Sequence, residues 1–186
     1  MIWNDHSKYE GQHAFLSASK YHWINYDDDK LIFMYKRTVL AAQEGTETHD
    51  FASRCIKRRQ KLPKTNQTLN LFVNDAIGYR MNSEQVLYFS DNCFGTADAI
   101  CFNGKLLRIH DLKTGVTATH MEQLMVYAAL FCLEYGVNPK DIDIELRIYQ
   151  CNDIEICKPP AEAIIQIMAT IQRFDKLINK VKEEGS

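Results

Sequence analysis

The sequence lacks three features that would assign it to a specialised class of proteins. None of its six cysteines forms a C-x-x-C pair, so the spacing typical of zinc ribbons and redox-active dithiols is missing. Its longest apolar run, residues 124–133, is about half the roughly 20 residues that a membrane-spanning helix needs. The net charge is only −2, so no overall positive charge indicates a nucleic-acid partner, and such binding would need a local patch.

What remains is an ordinary globular composition. The 186 residues are 46% hydrophobic and 25% charged, which suits one domain with a substantial core. No signal-peptide pattern opens the sequence, so we expect reduced thiols, a cytoplasmic location and no membrane contact.

The strongest local signal lies in residues 95–115. Two apolar runs flank Asn103-Gly104, a dipeptide typical of type I′ hairpin turns because both residues tolerate a positive φ. A two-residue loop would pair Asp98 with Ile109. Asp98 and Asp111 would then be diagonal neighbours, about 7–8 Å apart at the backbone.

This hairpin is expected to bring two carboxylates and one ammonium group together. Because side chains alternate along a strand, Asp111 and Lys113 would share the face of Asp98. Such a cluster is costly unless a cation or an anionic substrate completes it. The two carboxylates and the Leu112 carbonyl would suit Mg²⁺, and Lys113 would orient a water or neutralise charge during phosphodiester hydrolysis. Taken singly, the D-x-K spacing favours a solvated ion pair instead.

Periodicity elsewhere predicts an α/β (α+β) fold. Helices are predicted over 31–42, 44–61, 69–81, 119–135 and 159–182, and strands over 85–90, both arms of the hairpin and 143–150. This order predicts a mostly antiparallel or mixed sheet of about four strands flanked by helices. We expect a single domain over 1–186, made of an N-terminal helical part (13–82), a core (85–150) and a C-terminal helix (159–183).

The helix predicted over residues 44–61 would turn His49 inward, because His49, Ala52, Ser53 and Ile56 share one stripe. The densest basic run in the chain follows, and it contains Lys57, Arg58, Arg59 and Lys61. Such a run is either a contact surface for a DNA backbone or an ordinary solvated helix end. The sequence does not separate the two interpretations.

Four short motifs follow one another between residues 45 and 127. They are G-x-x-x-H at 45–49, G-x-x-D at 95–98, D-x-K at 111–113 and Q-x-x-x-Y at 123–127. Each is weak alone, but four in this order and spacing are specific. In them the chain resembles the RecB-type, phage-type exonuclease branch of the PD-(D/E)XK nucleases.

The resemblance implies a restriction-endonuclease-like core and a metal-dependent deoxyribonuclease, with an exonuclease of phage-type recombination or DNA processing as the main expectation. The implied ligands of Mg²⁺ or Mn²⁺ are His49, Asp98, Asp111 and the backbone carbonyl of Leu112. The implied catalytic residues are Asp98, Asp111, Lys113, Gln123 and Tyr127, the last two contacting DNA or steadying the site. The imidazole ligand favours Mn²⁺.

Two alternatives share this fold: a structure-specific or restriction-type endonuclease, and a catalytically silent nucleic-acid-binding protein. Candidate partners besides DNA are a single-strand annealing recombination protein and a second copy of the chain. The expected location is the host cytoplasm if the chain is phage-encoded.

The cysteines depart from the pattern of relatives that carry an iron–sulfur cluster. Tyr26 stands where those relatives have an early cysteine, and the late cysteines are only Cys151 and Cys157. Four thiolates at cluster spacing are therefore missing. We expect neither an iron–sulfur cluster nor a two-cysteine zinc site.

Overall fold

The computed structural model describes residues 1–38, 47–114 and 119–184. Its α-helices are α1 (Asp28–Thr38), α2 (Glu47–Lys57), α3 (Thr68–Gly78), α4 (Glu122–Tyr135) and α5 (Ala161–Glu184). Its strands are β1 (Asn82–Ser90), β2 (Cys93–Phe102), β3 (Leu106–Leu112), β4 (Asp143–Gln150) and β5 (Asp153–Cys157). Short 3₁₀ helices cover Ser7–Tyr9, Ala18–Asn25 and Pro139–Asp141.

The five strands form one mixed sheet in the order β1-β2-β3-β4-β5. All neighbours are antiparallel except β3 and β4, which are parallel. That parallel pair needs a crossover, and α4 provides it. The predicted α+β class, a mixed sheet flanked by helices, is therefore confirmed, with five strands instead of about four.

The additional strand, β5, follows a two-residue turn at Cys151-Asn152. Gln150 pairs with Asp153, and both turn residues have a positive φ, of 51° and 63°. These values are those of a type I′ turn. The sequence does not predict this turn, because Cys-Asn lacks the glycine that is typical of type I′ turns.

The predicted register of the β2–β3 hairpin is wrong by two residues. Phe102 pairs with Leu107, so the loop has four residues instead of two. The Asn103 side-chain oxygen accepts hydrogen bonds from the backbone N–H groups of Lys105 (3.1 Å) and Leu106 (2.8 Å). These local bonds widen the turn, and only Gly104 of the pair has a positive φ, of 95°.

Helices cover both faces of the sheet. One face packs against α4 and α5 in the main core, which includes Ile100, Ile109 and Leu146. The other face packs against α2 and α3, with Tyr149 among the buried residues. His110 is buried and contacts Tyr149, so it lies on the face opposite to its neighbours in the D-x-K motif, as predicted.

Several element ends differ from the predictions. Helix α3 stops at Gly78 instead of residue 81, and β1 begins at Asn82 instead of residue 85. The turn between them includes Arg80, which has a φ of 56°. The end of the helix predicted over 31–42, and Gly45 of the G-x-x-x-H motif, lie outside the described residues. No helix within the described ranges is long and apolar enough to cross a membrane.

Candidate metal centre

A cavity of about 710 Å³ opens beside the central strands. Its walls come from β1, β2, β3, α2, α4 and an N-terminal segment, residues 10–13, which we call the strap. The residues predicted to do chemistry line it, namely His49, Asp98, Asp111, Lys113, Gln123 and Tyr127. We call this space the metal cavity.

Three acidic residues lie in one row across β1, β2 and β3. Ser83 pairs with Ala99 and Gln85 with Ala97, which places Glu84 opposite Asp98. Ala99 pairs with His110, and the same register places Asp98 opposite Asp111. The two aspartates are therefore direct neighbours, and not the diagonal pair that the predicted register implied.

Glu84 is the residue that the sequence analysis missed. Ligand atoms of His49, Glu84 and Asp98 all lie within 4.8 Å of one another, close enough to hold one ion. The first turn of α2 presents His49, whose Nδ1 lies 3.5 Å from Asp98 Oδ2. Had β1 been predicted to begin at residue 82, strand alternation and the pairing with β2 would have placed Glu84 in this row.

The environment of Glu84 is unfavourable without a cation. Burial and the nearby Asp98 carboxylate raise the pKa of Glu84 to about 7. Its backbone has a φ of 52°, a left-handed conformation that costs about 1–3 kcal/mol for a residue other than glycine. Strain and charge repulsion therefore concentrate at one position of the site.

Asp98 lies between the other groups. Its Oδ2 accepts a hydrogen bond of 2.8 Å from the backbone N–H of Leu112. Its contact with His49 raises the pKa of the imidazole. The role of the Leu112 carbonyl as a ligand stays a prediction.

Asp111 is held by two side chains. Its Oδ2 lies 2.9 Å from Lys113 Nζ, and its Oδ1 accepts a hydrogen bond of 3.1 Å from Gln123 Nε2. Lys113 in turn donates to Gln123 Oε1 at 2.7 Å. Asp111, Lys113 and Gln123 form a closed triangle, which we call the clamp. Gln123 thus bridges the charged pair, and the two roles expected for it, contacting DNA or steadying the site, stay predictions.

Asp111 is 2% exposed. Burial, and after it the Asp98 carboxylate, raise the pKa of Asp111 to about 7. Lys113 opposes this shift but does not cancel it. Asp111 does not belong to the group whose atoms all lie within 4.8 Å, so its place in the predicted ligand set stays a prediction.

Tyr127 closes the inner wall of the cavity, and Gly95 leaves room for it. A Cβ atom at residue 95 would lie 3.1 Å from Tyr127 Cε1 and 3.5 Å from the Ala18 backbone nitrogen. Burial raises the pKa of the Tyr127 hydroxyl well above its usual value. The glycine of the G-x-x-D motif therefore has a packing role: it lets the ring approach the strand.

Only part of the basic run predicted to contact DNA lines the metal cavity. Lys57 lines the metal cavity together with Arg54, which the sequence analysis did not select. Arg58, Arg59 and Lys61 are not among its lining residues. Arg59 instead donates to the Met81 carbonyl at 3.4 Å.

The donor set fits a divalent cation. One imidazole nitrogen and two carboxylate oxygens come from partly buried residues in the lining of the cavity, and this mixture suits Mn²⁺ or Mg²⁺. Residues 77–184, which include Glu84 and the whole clamp, match the family described as "Protein of unknown function (DUF2800)". The match covers more than half of the chain, and the protein therefore belongs to the DUF2800 family.

Proposed function

We propose that this protein is a metal-dependent deoxyribonuclease of the PD-(D/E)XK type, with exonuclease activity on linear DNA in phage-type recombination or DNA processing. The observation that carries the proposal is the convergence of two groups in one cavity. His49, Glu84 and Asp98 offer ligand atoms to a cation, and the clamp holds Lys113 beside them.

The acidic row supports a bound cation. Glu84, Asp98 and Asp111 occupy one row of neighbouring strands, and carboxylates placed directly opposite one another are destabilising. Retaining three of them is costly unless a positive charge is supplied. A divalent ion held by His49, Glu84 and Asp98, with Asp111 adding a carboxylate lone pair that the clamp leaves over, would bind the scissile phosphate and lower the pKa of a water.

The clamp gives Lys113 a defined place for its charge. Gln123 and Asp111 both hold the ammonium group, at 2.7 and 2.9 Å. The positive charge therefore stays beside the carboxylates when the non-bridging phosphate oxygens gain negative charge. A charge fixed in advance needs no reorganisation during the reaction, and this is the main source of electrostatic catalysis.

Substrate binding would use the outer wall of the cavity. Arg54 and Lys57 lie on the exposed side of α2, one turn apart, and both line the metal cavity. That spacing suits contacts with successive backbone phosphates, which position DNA without reading its sequence. Arg58, Arg59 and Lys61 would contribute at most to long-range attraction.

The test is degradation of linear DNA with Mn²⁺ or Mg²⁺ by the wild type and by Asp111→Asn. The matched control is Asp143→Asn, an exposed aspartate at the opposite end of the β3–β4 pair. Wild type and control should degrade DNA, and Asp111→Asn should lose activity by at least about a hundredfold. An inactive wild type, or a fully active Asp111→Asn, contradicts the proposal.

Closed circular DNA separates the two kinds of nuclease. An exonuclease leaves circles intact, whereas a structure-specific or restriction-type endonuclease cuts them. We also propose a cytoplasmic location and, as partners, a single-strand annealing protein and a second copy of the chain. The absence of an iron–sulfur cluster also stays a prediction, which iron and sulfide analysis of purified protein would check.

A further inference from the structure

A second cavity, of about 470 Å³, lies directly beside the metal cavity. The two cavities share Gln12 and His13 of the strap, so the strap forms their common wall. The volume falls within the range of about 300–1,000 Å³ that is typical of small-molecule sites. We call this space the aromatic cavity.

Four aromatic side chains line the aromatic cavity, and two of them are partly exposed. Phe15 and Tyr35 pack edge to face, with ring centroids 5.0 Å apart, and both are partly exposed. Tyr9 and Phe94 lie behind them, buried, with centroids 4.6 Å apart. The result is a firm aromatic surface next to the proposed reaction centre.

The two cavities differ in charge. Among the residues that the structure describes, five acidic side chains but three lysines or arginines line the metal cavity, so it attracts cations. The described lining of the aromatic cavity holds two lysines, Lys20 and Lys182, and one acid, Asp91. The Asp91 carboxylate accepts hydrogen bonds from the hydroxyls of Tyr9 (2.5 Å) and Tyr88 (2.9 Å), which disperse its charge. The aromatic cavity therefore combines a weakly positive lining with aromatic faces.

We propose that the aromatic cavity binds one unpaired nucleotide of the strand whose scissile phosphate lies in the metal cavity. The base stacks on the face of one ring of the Phe15–Tyr35 pair and meets the other ring edge to face, because the two rings are nearly perpendicular. Lys20 contacts the adjoining phosphate. This inference rests on the proposed function and deepens it. A base can enter such a cavity only after it leaves the duplex, so the preferred substrate is single-stranded DNA or a duplex with a frayed end.

Binding is the first test. The probe is a fluorescein-labelled thymidine oligonucleotide of about eight nucleotides, with Ca²⁺ in place of Mn²⁺ or Mg²⁺ so that the strand is not cut. Phe15→Leu and Tyr35→Leu should each weaken binding by roughly 5- to 150-fold in fluorescence anisotropy, the range for loss of one stacked base. The matched control is Phe33→Leu, which is exposed on the same helix as Tyr35 and lies outside the cavity lining.

A charge variant keeps the test independent of aromatic packing. Lys20→Gln should reduce the slope of log affinity against log salt by about one. Lys105→Gln, in the exposed hairpin loop, should leave the slope unchanged. Thermal melting of every variant checks that the fold is retained, and an unaltered slope for Lys20→Gln contradicts the phosphate contact.

Cleavage then separates this inference from the proposed function. Wild type should cut single-stranded and frayed DNA faster than blunt duplex, and Phe15→Leu should raise the KM for the single strand more than it lowers kcat. If wild type cuts no DNA, the proposed function fails and this inference with it. If wild type cuts DNA but Phe15→Leu and Tyr35→Leu bind and cut the single strand as wild type does, only the nucleotide subsite is refuted.

Discussion

Asp111→Asn should abolish the proposed nuclease activity and, without metal, make the folded protein more stable at alkaline pH. Burial and the Asp98 carboxylate raise the pKa of Asp111 from 3.8 to about 7. Between these two values the folded state holds a proton that the unfolded state has released. The free energy of unfolding therefore falls as pH rises from about 4 to 7, and the full penalty persists above pH 7.

The size of the effect follows from that shift. About three pKa units at 1.36 kcal/mol each give an upper bound on the order of 4 kcal/mol. Asparagine removes the charge but turns one donor toward Lys113 or Gln123 within the clamp. One such mismatched contact costs about 1–2 kcal/mol. We therefore expect a net gain of about 2 kcal/mol at pH 8. At pH 5 only about 1.6 kcal/mol of the penalty has developed, because this pH lies about 1.2 units above the ordinary pKa of 3.8. The mismatched contact offsets that amount, so we expect almost no net gain at pH 5.

Urea unfolding in EDTA, followed by far-ultraviolet circular dichroism at pH 5 and pH 8, measures this difference. Asp143→Asn is the control and should stay within about 0.5 kcal/mol of wild type at both pH values. Mn²⁺ at a hundred times its dissociation constant for wild type should raise the unfolding free energy of wild type by about 2.7 kcal/mol. The same Mn²⁺ concentration should raise the unfolding free energy of Asp111→Asn by less. The reasoning would be refuted if Asp111→Asn were less stable than wild type at pH 8 without metal. It would also be refuted if the difference in unfolding free energy between the two proteins were the same at pH 5 and pH 8.

Three further predictions concern the same cavity. Gly95→Ala should lower both the thermal stability and the nuclease activity, because the added Cβ would lie 3.1 Å from the Tyr127 ring. Gly78→Ala is the control for the melting and nuclease assays and should leave both unchanged, because its Cβ would meet nothing within 4 Å. Glu84→Gln should weaken Mn²⁺ binding at least about tenfold in calorimetry, and equal affinity would remove Glu84 from the ligand set. Mn²⁺ binding by wild type should strengthen from pH 6 to pH 8 and release protons, because the pKa of Glu84 and that of Asp111 are raised to about 7 and a bound cation displaces those protons; an affinity that does not change over this range would contradict the assignment.

The sequence predicted the meeting of Asp98, Asp111 and Lys113 although it predicted the wrong turn. The error in register was two residues, which is one full period of strand alternation. Every side chain therefore stayed on its expected face, and a slip of one residue would have moved the acids apart. Face assignment is robust because many apolar positions specify it, whereas loop length depends on the local hydrogen bonds of Asn103.

The missed features have physical causes as well. Glu84 lies after a turn in which Arg80 takes a left-handed conformation. The helical sequence pattern before this turn continues to residue 81, three residues beyond the end of α3. The clamp depends on the crossing of α4 over β3, a tertiary arrangement without a local signal. Strand β5 was missed because it is short and its turn contains no glycine.

The row of Glu84, Asp98 and Asp111 has a consequence for how this site would respond to changes in the surrounding sequence. Hydrogen-bonded strands keep a fixed separation of about 4.7–4.9 Å, so the spacing between the acids is set by the backbone of the sheet and hardly at all by loops. Loops around the cavity could change length or sequence, and with them the proposed DNA substrate, while the distances between the acids stay constant. We expect related chains to differ in substrate more readily than in metal requirement.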